Sequence, residues 1–359
     1  ISVLLKTPGK IPMVWDGRMR NRLPARILAL TSLFLMAFVI GCSSDVKKIV
    51  FVSEIDGDAE IYVIDPDAGV AEPLTDNRSQ DTNPVWSPDG DRILYVSDGS
   101  GDLEISLVDA DGEDGSRLTN IPGDDHAPRW SPDGKNLAFI SNQDGNAEVY
   151  LMAAEGGRPI RITAKTPDDS LGDWSPDGEW LAFSRVGEME GKGLWLRNPD
   201  GVNLVHLTEE DDFNPQWSPN GKHIAFVRQT GPTDGMLDIY LASLLKDGTW
   251  QDNVELLRLT QHEANDDSPV WSPDGDTIAF VSYRDGNAEI YTMEEDGYKP
   301  IRLTTNEADD LDPVWSPDGD NLAFVSHLYG PGEIFMMDKE GGNQRRLTTN
   351  DAEDHSPDW

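Results

Sequence analysis

The pentapeptide Trp-Ser-Pro-Asp-Gly, once with Asn in place of Asp, recurs from Trp86, Trp130, Trp174, Trp217, Trp271 and Trp315, and a further Trp stands at position 359. Successive spacings are 44, 44, 43, 54, 44 and 44 residues. A period near 44 residues holding four strand-sized segments is the pattern of a β-propeller blade. In the unit that begins at Pro84, a short strand runs into the turn Ser87-Pro88-Asp89-Gly90, and the apolar strand Arg92–Ser97 follows. A second Gly-containing turn leads to Leu103–Ala110, and the run to Arg117-Leu118-Thr119 completes the unit. The second strand reads RILYVS, NLAFIS, WLAFSR, HIAFVR, TIAFVS and NLAFVS in successive units. These are near-continuous apolar runs, as expected of strands covered on both faces by neighbouring blades.

The two ends of the repeat array fix the blade number. Lys47–Thr75 carries a second, third and fourth strand with no Trp-Ser-Pro strand before it, and Asp354–Trp359 supplies only a first strand. Joined, they make a seventh blade, in which the C-terminal strand pairs with the N-terminal sheet and leaves no open edge inside the ring. Seven Leu/Ile-Thr pairs, from Leu74-Thr75 to Leu347-Thr348, agree with that count. The expected fold is all-β, a seven-bladed propeller over residues 47–359.

The residues before it read as an export signal. Residues 1–18 begin with Ile and fit upstream sequence or a mis-set start. Met19, Arg20, Arg22 and Arg26 open a basic stretch, and Ile27–Ile40 is an uncharged run of 14 residues, short for a bilayer span. The run ends in Val39-Ile40-Gly41-Cys42, which resembles the lipobox of a bacterial lipoprotein. Residues 19–41 are then a signal peptide, Cys42 a lipidated first residue and 42–46 a tether. Cys42 is the single cysteine, so an intramolecular disulfide is excluded. The expected location is extracytoplasmic, on a bacterial membrane: the periplasmic side of the outer membrane or the cell surface.

Charge narrows the partner classes. Six of the 29 basic residues and one of the 66 acidic residues lie in the first 41, leaving 23 against 65 and a formal charge of −42 for the remainder. Nucleic acid is excluded as a partner, and so is electrostatic adhesion to anionic lipid; cationic proteins, peptides or metal ions are favoured, with plain solubility as the other use of the charge.

The pattern DxxPxWSPDG, an apolar strand ending in Phe-Val-Ser, a DGNAEIY hairpin and an Arg-Leu-Thr strand together resemble the TolB-like propeller repeat. The resemblance covers residues 47–359 and implies the fold. TolB proper resembles a six-bladed propeller behind a separate α/β domain, whereas this sequence reads as a lipobox followed directly by seven blades. Similar repeats also form the gating propellers of prolyl oligopeptidase-like peptidases.

Aligning the repeats internally exposes one candidate site. Five residues before each Trp stands an aspartate: Asp81, Asp125, Asp169, Asp212, Asp266, Asp310 and Asp354. Five of the residues just before them are also acidic: Asp124, Asp168, Asp211, Asp309 and Glu353. Placed in the loops between one blade's outer strand and the next blade's inner strand, these residues surround the mouth of the central channel. They could hold Ca²⁺ or a cationic peptide there. Alternatively, each Asp accepts backbone N–H bonds and ties its loop to the adjacent blade. A second acidic series, Glu60, Glu104, Glu148, Asp238, Glu289 and Glu333, opens the third strands, with Gly193 at the fourth-blade position. The partial calcium-loop spacings at Asp56–Glu60 and Asp109–Asp114 lack a full ligand set, and turn chemistry accounts for them.

Enzyme signatures are sparse: there is no GxSxG, HExxH, P-loop or Cys-metal pair. His126 and His355 occupy the same slot in two repeats and are the metal candidates, since some seven-bladed relatives of this repeat resemble His-rich, pectate-degrading lyases. The expected function is an envelope-anchored, monomeric, non-enzymatic scaffold that binds protein or peptide partners through an acidic channel mouth, with Ca²⁺ the candidate ion. The alternative is a metal-dependent carbohydrate-active enzyme, oligogalacturonate-lyase-like, at the same mouth.

Overall fold

A computed structural model describes residues 48–359 apart from 165–167, 186–190, 231–234, 246–248 and 251–253. The expected signal peptide, Cys42 and the expected tether therefore lie outside the described residues, as do parts of the Gly187–Gly193 hairpin and of the insertions at Gly231–Gly235 and Leu244–Asn253. Seven four-stranded antiparallel sheets are present, and the described residues contain no helix. Blade 1 is ordered Asp354–Asp358, Ile49–Ser53, Glu60–Ile64, Ala71–Pro73, so the last strand of the sequence is hydrogen-bonded to the first. Blades 2 to 7 each run in sequence order from an inner strand, Asp81–Trp86 in blade 2, to an outer one, Gly115–Arg117.

Burial explains why these segments pair. Second strands such as Ile49–Ser53 and Leu181–Arg185 are buried at every residue, whereas the outer strands of blades 1 to 3 are wholly exposed. The core lies between blades rather than within them. Trp130 of blade 3 packs with Leu94, Val96, Ile105 and Leu107 of blade 2, and Trp315 of blade 7 with Ala279, Val281 and Ile290 of blade 6. At four seams the indole N–H also donates to the preceding blade, as from Trp130 to the Val85 carbonyl at 3.2 Å. Each Trp is thus a wedge shared by two blades, which is why one repeat cannot fold alone.

The Ser-Pro-Asp-Gly segment is a turn device. In blade 2 the Ser87 hydroxyl donates to Asp89 at 2.6 Å and accepts from the Arg92 N–H at 2.9 Å, while Gly90 takes φ 73°. The same Ser–Asp bond recurs in blades 3, 4, 6 and 7. The hydroxyl bond holds Asp89, Asp274 and Asp318 below the usual carboxylate range.

Candidate functional site

Inner strands run from one face of the ring to the other. Their first residues, the seven aspartates, mark the face that also carries the hairpins between second and third strands; the Trp-Ser-Pro turns mark the opposite face. Ile49 begins a second strand, so it stands on the Trp-Ser-Pro side of the ring.

The aspartates are not in the loops. Each opens its inner strand and is buried, five of the seven N–H groups donating to the blade before, as from Asp81 to the Ala59 carbonyl at 2.8 Å. Their carboxylates face other protein groups, in three different ways. Asp169, Asp212 and Asp266 of blades 4, 5 and 6 meet Arg185, Arg228 and Arg284, with N–O distances of 2.6–3.1 Å. Asp81, Asp310 and Asp354 of blades 2, 7 and 1 instead accept from Asn77, Asn306 and Asn350, each four residues earlier, at 2.6–2.7 Å. Asp125 of blade 3 receives no hydrogen bond at either oxygen. Burial pushes it up to about 6, and Glu104 and Asp124 add to the rise; the Ser141 and Thr119 hydroxyls beside it hold the shift back.

The neighbouring acids are engaged as well. Asp124, Asp168 and Asp309 accept the N–H of Leu103, Ala147 and Ala288, the residue before the third strand of the preceding blade. Asp211 pairs with Lys192 at 3.1 Å, and Glu353 with His327 at 3.3 Å. The second acidic series locks the outer strands. Thr119, Thr163 and Thr348 donate to Glu104, Glu148 and Glu333 while accepting the N–H of the next residue, and Glu289 and Glu333 also receive Arg302 and Arg346. Gly193 breaks the series because its φ is 110° and a Cβ there would stand 2.1 Å from the Thr208 carbonyl oxygen.

Among the described residues, exposed acids with no hydrogen-bond or ion-pair partner on this face lie in the blade 1 hairpin, at Glu54 and Asp56, in the connection into the inner strand of blade 2, at Asp76, and in the connections into the inner strands of blades 5, 6, 7 and 1. Glu209, Glu263, Glu307 and Asp351 are exposed there. The arginine partners of the ring had a sequence signal: Arg185 and Arg228 stand where other second strands end in Ser.

His126 and His355 take the second position of the inner strands of blades 3 and 1, with blade 2 between them. Burial lowers His126, and His355 bonds the Ser356 hydroxyl at 2.9 Å. Among the described residues no three His, Cys, Asp or Glu side chains converge as a metal site.

Below the ring, the channel opens toward the Trp-Ser-Pro face as a cavity of about 730 Å³ walled by inner-strand residues and by Trp217, Trp271, Trp315 and Trp359. Immediately before the Trp, three blades place Val85, Val270 and Val314 in this wall and one places Gln216; the remaining three place Arg129, Asp173 and Asp358. The last four depart from the Val of the other blades, and a pattern of repeated residues does not reveal them.

A family model described as the TolB beta propeller domain matches residues 36–121, 114–232 and 188–359. Among solved structures, TolB from Acinetobacter baumannii is similar at 21% identity and a TM-score of 0.57, over 87% of this chain and 66% of that one. The chain thus spans just under two thirds of that TolB. An oligogalacturonate lyase in complex with manganese is similar at 18% identity and a TM-score of 0.66, over 82% and 86% of the two chains. A puromycin hydrolase is similar at 16% identity and 0.59, over 74% of this chain and 46% of its own. At these identities the likeness is one of fold.

Proposed function

From the premise that this chain belongs to the TolB β-propeller domain family, we propose that it is an extracytoplasmic scaffold, held to a bacterial membrane through Cys42, which binds a positively charged protein or peptide on its acidic face. The supporting observation is the division of labour among the acids. Six of the seven ring carboxylates are spent on nearby arginine or asparagine side chains and the acids just before the ring on blade-to-blade contacts, while Glu209, Glu263, Glu307 and Asp351 stay exposed along one arc of the same face. Acids that stabilise nothing locally, clustered on an arc beside a channel, raise the local concentration of cationic partners. A Ca²⁺ ion at the ring itself is disfavoured, because six of the seven ring aspartates already have side-chain donors. The lyase reading has fold similarity behind it, but His126 and His355 lie on blades that are not adjacent.

The test is capture of envelope proteins on the purified propeller and on a variant carrying Glu209→Gln, Glu263→Gln, Glu307→Gln and Asp351→Asn, after both are shown to melt alike. A partner retained by the parent and lost by the variant supports the reading. Retention indifferent to the four changes, or no retention by either protein, rejects it.

A further inference from the structure

Seven copies of one strand provide an internal control for the channel wall. A side chain kept in every blade serves the fold; one that departs in particular blades is released from that duty. Before the inner-strand Trp, the departures put three charges into one cavity on adjacent or near-adjacent blades: Asp358 on blade 1, Arg129 on blade 3 and Asp173 on blade 4.

These charges attract one another without pairing. Arg129 Nη1 donates to its neighbour's carbonyl, Pro128, at 2.9 Å, and among the described residues no carboxylate oxygen lies within 4.0 Å of the guanidinium. Burial raises both Asp173 and Asp358, and Arg129 is the side chain whose charge opposes the rise in each. Each carboxylate has one bonded oxygen: Asp173 Oδ1 accepts the Trp174 N–H at 2.7 Å and Asp358 Oδ2 the Trp86 N–H at 2.8 Å. A fork of free N–H donors and two carboxylates are therefore held at fixed points of a cavity, too far apart to satisfy each other. All three side chains are half-buried, and a ligand that bridges them meets each with a charge-assisted hydrogen bond that they do not make with one another.

We propose that this lower half of the channel binds a zwitterion of the α-amino-acid type, its carboxylate on Arg129 and its ammonium on Asp173 and Asp358. A simple anion would meet the two aspartates and a simple cation would meet Arg129, so a ligand with both charges fits where either alone does not. Val85, Val270, Val314 and the indoles that share the cavity supply apolar wall for a side chain. The volume admits either a free amino acid or a short peptide with both ends charged. The site opens on the face opposite the exposed acids and does not rest on the partner-binding reading.

Titrations followed by Trp fluorescence and calorimetry would use leucine, trialanine, N-acetylleucine and leucinamide against the parent, Arg129→Gln and Asp173→Asn. Leucine or trialanine should bind, and whichever binds more tightly identifies a free amino acid or a peptide. The two blocked leucines should bind at least about tenfold more weakly than leucine, and each substitution should weaken the zwitterion by about tenfold or more. Asp173→Asn keeps the side-chain shape, so it tests the charge even if Arg129→Gln fails to fold. No binding of leucine or trialanine up to about 10 mM, equal binding of a blocked leucine, or affinity unchanged in both variants overturns the proposal.

Discussion

In blades 4 to 6 the buried aspartate that opens the inner strand meets a guanidinium; in blade 3 the equivalent Asp125 has no cation or amide, only the Ser141 and Thr119 hydroxyls beside it. Backbone position, burial and strand pairing are the same, yet the carboxylates differ in what they contribute. Asp169 belongs to an ion pair whose Arg185 partner is 4% exposed and stacks beside Trp195. Asp125 is a desolvated acid with other acids for neighbours. A repeat fixes where a side chain goes, and the non-repeating residues around it decide whether its charge stabilises or destabilises that place.

Removing one member of the buried pair should expose the contrast most strongly. Asp169→Ala leaves Arg185 buried and unmatched, and chemical denaturation should show a loss of about 3–5 kcal/mol. The opposite sign is expected in blade 3. Asp125 titrates near 6 in the folded state and near the usual carboxylate value unfolded, so folding binds a proton between those values. Its contribution is therefore favourable at low pH and lost as pH rises through about 6. Asp125→Asn should gain stability over the parent above that pH, by up to about 3 kcal/mol, and should flatten the stability profile between about pH 4 and 6. A loss at neutral pH comparable to that of Asp169→Ala would break the comparison.

The arc of blades 7, 1 and 2 is intermediate, because its aspartates accept from neutral amides. Asn350→Ala removes the 2.7 Å bond to Asp354 and the cap on the Ala352 N–H, and should lower stability by about 1–2 kcal/mol, between the other two cases. The smallest effect is expected from the exposed acids. The combined Glu209, Glu263, Glu307 and Asp351 variant should change stability by no more than about 0.5 kcal/mol per site in thermal melts, which separates the acids proposed to meet a partner from those that hold the fold.

Much of the fold is legible in the residues themselves. The Trp-Ser-Pro-Asp-Gly period, the apolar second strands and the split of one blade between the two ends of the sequence predict seven blades and their closure, because each feature is local and repeats. The aspartate ring is equally visible as a series, and the pattern offers both a channel-mouth use and a structural one for it. Only the fold shows the aspartates buried at the start of their strands, since a position five residues before a Trp does not say whether a strand has already begun.

The sequence by itself thus determined the architecture: recurrence of one four-stranded unit, amphipathic or fully apolar by strand, admits little besides a closed ring. Tertiary structure alone decided which charges meet. Asp358 bonds the Trp86 N–H across 272 residues, and the field of Arg129 reaches Asp173 of the next blade and Asp358 from the far end of the sequence. Ring closure makes neighbours of residues with no proximity along the chain, and electrostatic interaction depends on distance and burial in space.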